Sequence, residues 1–318
     1  MNPAFSVLFF TTLSGAGYGL LWWAALAALA GHVPARALLV ALLLGMLLCA
    51  SGLLASFWHL GKPMRAWRAF SQWRTSWLSR EGVLAVVSFV PALLLAAAML
   101  PAMLDGSAHG GRPALNLAGV AIAVALMACA VATVYCTAMI YASLTPIPAW
   151  RHRLVVPVYL GFALLTGGLV FSALAAGRGA APGGLAVLPA IALALVLWLA
   201  KGRYWRDIDH APLPHTRGAA VGLPSRTASV FERPHTEANY ITREMAFVVA
   251  RRHATWLRRI AVAGFALVPA LFLLPAWLFV HLDATPWFAL AAASSVAGAF
   301  VERWLFFAEA RHMVTLYY

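Results

Sequence analysis

The densest polar stretch of the chain is SFWHLGKPMRAWRAFSQWRTSWLSRE, from Ser56 to Glu81. His59 and Glu81 stand at its two ends. An imidazole and a carboxylate can each hydrogen-bond a hydroxyl and accept its proton. That suits oxidation of a hydroquinone, which surrenders two electrons and two protons. A plainer reading makes His59 a helix-end histidine that caps carbonyls or faces water. Glu81 is then a dipole partner, two residues past a Ser79 N-cap. Residue chemistry by itself favours the plainer reading. Between the two, Gly61 and Pro63 end a helix and turn the chain. Trp67, Trp73 and Trp77 alternate with Arg65, Arg68 and Arg74, a mixture that suits an amphipathic piece in the headgroup layer.

The elements that must position this cluster are apolar helices. Of 318 residues, 63% are hydrophobic and 10% charged, against about 25% charged in soluble domains. That excludes a soluble enzyme, a disordered chain and a disulfide scaffold. Eight runs approach or exceed the ~20 residues a spanning helix needs: Phe5–Ala30, Ala37–Trp58, Gly82–Leu104, Leu115–Tyr141, Val155–Ala176, Leu185–Ala200, Ile260–His281 and Pro286–Phe307. Their length and lack of alternation argue against barrel strands. The expected fold is an all-α integral membrane protein, a bundle of eight transmembrane helices. It forms one domain over 1–318, with a long basic extramembrane loop at about 201–259. The first run has no basic segment before it and is too long for a cleavable signal peptide.

The formal net charge is +13, from 23 Lys plus Arg against 10 Asp plus Glu. So few charges in so apolar a chain do not make a nucleic-acid surface. Arg36, Arg112 and Arg178 fall on one side, and the other twenty (23 − 3) on or near the second. The basic connections are Leu60–Arg80, Ala142–Leu154 and Lys201–Arg259. By the positive-inside rule both termini and these loops are cytoplasmic; a landing surface for an acidic partner would give the same bias. Within the longest connection, Asp207–Pro234 reads as irregular loop. A helix-compatible stretch follows from Asn239, with Glu244 early and Arg251, Arg252, Arg258 and Arg259 late.

Several chemistries are not indicated. Cys49, Cys129 and Cys136 lie in apolar runs without a C-x-x-C pair, so neither an iron–sulfur cluster nor another metal site is expected. The ten histidines fall in loops or at helix ends, which disfavours bis-histidine haem. No nucleotide-binding motif accompanies the spans. Gly15-x-x-x-Gly19 is a helix-packing motif. Glu302, Arg303 and Glu309 in or beside the last span read as a snorkelling pair plus helix-end charges, or else as a proton path or second wall of a quinol site.

The run His59-Leu60-Gly61-Lys62-Pro63-Met64-Arg65-Ala66, followed by Ser76-Trp77-Leu78-Ser79-Arg80-Glu81, resembles the membrane anchor subunit of the dimethyl sulfoxide reductase (DmsC-like) family. The Tyr141…Thr145-Pro146-Ile147-Pro148-Ala149-Trp150 stretch and the ending Glu302-Arg303…His312-Met313 extend the likeness. The resemblance implies an anchor that oxidises menaquinol without haem or cluster of its own. Electrons would pass to a four-cluster iron–sulfur subunit and then to a molybdopterin catalytic subunit, where the terminal reduction occurs. It implies His59 and Glu81 as the catalytic, quinol-binding pair, with Arg65 helping to hold the headgroup or the partner. It places the protein in a bacterial inner membrane. The segment Pro234-His235-Thr236…Asn239 to Met245 looks like one in a subset of anchors whose acceptor is not dimethyl sulfoxide. A secondary transporter would show matching broken helices in two halves, and none is evident; a purely structural anchor is the third reading.

Overall fold

The computed structural model describes residues 3–58, 60–104, 111–178, 184–211, 213–232, 237, 253–279, 281 and 283–316. Among them are eight helices long and apolar enough to cross a membrane and no strand. We number them α1 (Phe5–Ala30), α2 (Ala35–Phe57), α3 (Trp77–Met103), α4 (Leu117–Ala142), α5 (Val155–Ala176), α6 (Gly184–His210), α7 (Ala254–Leu278) and α8 (Thr285–Ala308). The stretch from Asn239 to Arg252 expected to be helical lies outside the described residues, and α7 begins at Ala254. Asp207–Pro234 is only partly loop, because α6 runs on to His210.

That extension is the largest correction to the spans. Counting apolar residues stops the sixth at Ala200, because Lys201 is charged. In the structure α6 is 27 residues long, and Lys201 lies inside the bundle, 1% exposed. A buried counter-charge, described below, is what the count could not see. The third span also starts earlier than expected, at Trp77 rather than Gly82.

Helix α1 is the central element, packed on α2, α4, α5 and α8. Close crossings depend on glycine. A Cβ on Gly19 would enter the carbonyl of Ala163 on α5, and one on Gly167 would enter the Gly19 backbone. Gly15 has open space beside it, so the Gly15–Gly19 pair is not the packing unit. The unit is Gly19 with Gly167, on two helices, where dispersion contacts between backbones replace a hydrophobic drive that lipid cannot supply. Gly19→Ala is expected to cost about 1–3 kcal/mol by overpacking, while Gly15→Ala stays near wild type. Thermal melting of the two variants in detergent checks this, and equal melting would refute the crossing.

Helix α7 contains a π-helical turn, Ala263–Leu267. There Gly264 meets Gly298 of α8, and Ser294 Oγ donates to the Gly264 carbonyl at 2.9 Å. A π turn disturbs the regular backbone ladder, and the serine satisfies a carbonyl at that point.

Candidate functional site and buried charge centre

The entry to α3 places Glu81. Ser76, in extended conformation, is the N-cap, its hydroxyl accepting from the Ser79 N–H at 3.4 Å. Ser79 is therefore inside the helix and not its cap, and Glu81 lies past the first turn. This corrects the dipole-partner reading, since the orphan N–H groups lie behind Glu81. Ser79 is used otherwise: its hydroxyl donates to the Ala69 carbonyl. Ala69 belongs to a 3-10 helix, Pro63–Gln72, with no buried residue. Phe70 of the same segment lies against Gly82. The segment is thus clipped onto the start of α3, beside Glu81. Trp67, Trp73, Met64 and the neighbouring Trp58 are all exposed, as an interfacial piece requires. Arg80 joins them: its guanidinium lies 4.3 Å from the Trp77 ring centroid and bonds the Trp73 and Arg74 carbonyls.

Glu81 itself is 4% exposed. Its Oε1 lies 2.6 Å from Thr137 Oγ1 of α4, and that hydroxyl is 3.0 Å from the Thr133 carbonyl. The threonine has one hydrogen for two acceptors. An ionised Glu81 competes with the carbonyl for it. A protonated Glu81 instead donates to Thr137, which then donates to the Thr133 carbonyl, and the competition is removed. The geometry is thus that of a carboxyl able to take up a proton. Tyr18 of α1 faces the same space, its hydroxyl beside Cys49, Ser88 and Thr133.

Of the other expected site residues, His59 lies outside the described residues. Arg65 is exposed on the 3-10 helix.

A second polar centre emerges that sequence reasoning sees only in part. Glu302 is fully buried and Arg303 is 3% exposed, so neither snorkels. Lys201 Nζ lies 2.6 Å from Glu302 Oε1, and Arg303 Nε 2.7 Å from Glu302 Oε2. Aromatic rings complete the cage. Lys201 is 4.0 Å from the Tyr204 ring centroid and 4.8 Å from that of Trp205, and Arg303 is 3.8 Å from that of Tyr159. Such cation–π contacts offset part of the desolvation. Beyond Glu302, the Arg303 guanidinium faces Tyr159. Nearby, Glu309 at the end of α8 pairs with Arg258 at 2.8 Å, and Arg258 pairs with Asp209 at 2.6 Å. Glu309 is outside the spans, and burial pushes its carboxyl above the usual carboxylate range despite Arg258. By sequence Lys201, Asp209 and Arg258 fall in the long loop. The available signal is Glu302: a carboxylate at that depth demands a buried cation.

An open cleft of about 320 Å³ adjoins this end, lined by His152, Asp207, Asp209, Arg258, Glu309 and Arg311 among others. His152 Nε2 lies 3.1 Å from Asp207. Its walls are tied together by Tyr204 OH donating to the Ala149 carbonyl at 3.2 Å and by the Met313 N–H donating to the Pro146 carbonyl at 2.9 Å.

Eight apolar helices with a buried carboxyl at one end define a multi-pass membrane protein with a polar interior. Residues 1–308 match the family described as DMSO reductase anchor subunit (DmsC), and the chain belongs to that family. Among individual relatives it is similar to a subunit of the sulfite dehydrogenase of Allochromatium vinosum, with 35% identity over all of its own length and 99% of the other's. No solved structure matches the chain.

Proposed function

We propose that this chain is the membrane anchor and quinol-handling subunit of a molybdopterin oxidoreductase. Menaquinol binds at the His59–Glu81 end and passes its electrons to a docked four-cluster iron–sulfur subunit, which relays them to the molybdopterin subunit. The observation that carries this is Glu81: a buried carboxyl with a hydrogen-bond partner suited to its protonated form, at the bilayer-boundary end of α3, beside an exposed Trp/Arg segment. Glu81 takes the hydroquinone protons, one at a time. The bundle and the clipped 3-10 helix keep bulk water from the carboxyl.

The 35% identity to a sulfite dehydrogenase protein favours a second direction of flow. A dehydrogenase releases electrons, so its anchor would reduce quinone, with Glu81 delivering protons. The residues serve either direction, and terminal substrate and direction belong to the partner chains.

The test uses the assembled complex from a bacterial membrane. Co-purification with iron and molybdenum supports the anchor role. A fluorescent hydroxyquinone analogue is expected to bind wild-type complex and to lose affinity at least about tenfold with Glu81→Gln. Unaltered binding and turnover in that variant would remove Glu81 from the site. Cross-linkers in the segments 60–80 and 211–253 are expected to capture the iron–sulfur subunit on the cytoplasmic face. Capture solely from the segments near Gly110 or Gly179 would place the partner on the opposite side.

A further inference from the structure

The interior between Glu81 and the buried charge centre is polar. Thr137, which bonds Glu81, also lines a small cavity between α1, α4, α5 and α8. Thr11, Thr12, Ser14, Thr166 and Arg303 line it as well. Its volume is about 20 Å³, enough for one water. Thr12 Oγ1 has no hydrogen-bond partner there, and Arg303 and Tyr159, which face each other, have donor capacity left over for a water. Beyond Arg303 a second void of about 10 Å³ lies among Tyr159, Lys201, Tyr204, Glu302 and Arg303. From there Glu309 and Arg258 lead into the open cleft. All these groups lie toward the same end of the bundle as Glu81. On the direct route to the surface, the Ser79–Ala69 bond and Phe70 against Gly82 close the chain over α3.

We propose that the Lys201–Glu302–Arg303 centre is a proton relay joining Glu81 to the cleft at Glu309, His152 and Asp207. The proposal rests on the quinol reading above. Each hydroquinone oxidised to quinone gives two electrons to the iron–sulfur partner and two protons to Glu81 in turn. Each proton passes through Thr137 and cavity water to the Glu302–Lys201 pair, then to Glu309, and leaves into the cleft. Reduction of quinone would run the same path inward. Arg303 keeps its proton throughout and holds water and Glu302 in place. The groups facing each station are these. Glu81 faces Tyr18 from α1, Cys136, Thr137 and Tyr141 from α4, and Tyr159 from α5. Lys201 faces Tyr204 and Trp205 on its own helix and Glu302, Arg303 and Glu309 from the α8 end. Glu309 faces Arg258, Asp209, Lys201 and Tyr204.

The test is turnover of the assembled complex with a short-chain naphthohydroquinone, over pH and in H2O and D2O. Glu309→Gln is expected to lower kcat about tenfold with KM unchanged, to enlarge the solvent isotope effect, and to be rescued by added imidazole. A structural role alone would give no rescue. Wild-type kcat and pH profile in Glu309→Gln overturn the relay. If that variant does not assemble, Thr12→Val with Thr166→Val, near-isosteric changes that dry the cavity, carries the test. The same slowing supports the relay, and wild-type kcat overturns it. An artificial dye donor, acting on the partner subunits, reports intact assembly. Glu81→Gln separates the two ideas. If it is inactive while the relay variants run normally, only the relay fails. If Glu81→Gln itself turns over normally, the quinol reading fails.

Discussion

Glu81→Gln is expected to lower quinol-linked turnover by about 10²–10⁴-fold, the range for losing a positioned general base. The glutamine amide is nearly the same size and its carbonyl can still accept from Thr137. Packing among Tyr18, Cys136 and Tyr141 is therefore kept, and what disappears is the capacity to bind and release a proton. The loss should appear in kcat and more strongly in kcat/KM, because the carboxyl serves both hydroquinone binding and proton acceptance. Electron delivery from a dye to the partner subunits should be unaffected, because it bypasses this chain. Glu81→Asp is the useful contrast. It retains a carboxyl but withdraws it by one methylene from the 2.6 Å contact with Thr137, so an intermediate rate is expected. Equal rates for Gln and wild type, measured with quinol as the sole donor, would assign proton acceptance to another group.

How much of this is legible in the sequence depends on what burial does to charge. Composition bounds α1 and α5 to the residue, Phe5–Ala30 and Val155–Ala176, because Gly31, Pro34, Gly177 and the basic Arg151–Arg153 segment mark their ends. It cuts α6 ten residues short, since hydropathy treats Lys201 as it would a lysine in water. Its partner Glu302 lies a hundred residues on, and only tertiary structure brings them to 2.6 Å. The cap of α3 is misplaced for a local reason. Ser76 and Ser79 are both good N-cap residues, and the choice depends on Ala69, whose carbonyl occupies Ser79. Glu81 is legible as a type, because a carboxylate in the approach to an apolar span is costly without a task. Its partner Thr137 is not, because a threonine in an apolar helix is common and usually bonds its own backbone. The family is legible from the HLGKPMRA run, because that combination of turn residues and charges is not required by a membrane helix end.

Glu302→Leu is expected to damage the fold far more than Lys201→Met, although the two residues form one ion pair. The reason is the charge count. Lys201, Arg303 and Glu302 together carry two positive formal charges and one negative, all inside the bundle. Removing Glu302 leaves two cations buried near each other, with aromatic faces around them and only the more distant Glu309, already paired with Arg258, as a counter-charge. Stranding a single buried charge in this way costs about 3–5 kcal/mol, and here two are stranded, which should prevent assembly or strip the partner subunits. Removing Lys201 leaves Glu302 and Arg303 as a neutral pair at 2.7 Å. Met also fills the space beside Tyr204 and Trp205 with a side chain of similar reach, so the loss should stay below about 2 kcal/mol, as for volume-conserving swaps. The double variant should be intermediate, since Arg303 is then the only stranded charge of the three. Thermal melting of the purified complex and the yield of bound iron read the order directly. If Lys201→Met proves as harmful as Glu302→Leu, the lysine charge is itself required, and Glu309, the second carboxylate acting on Lys201, is then its further counter-charge.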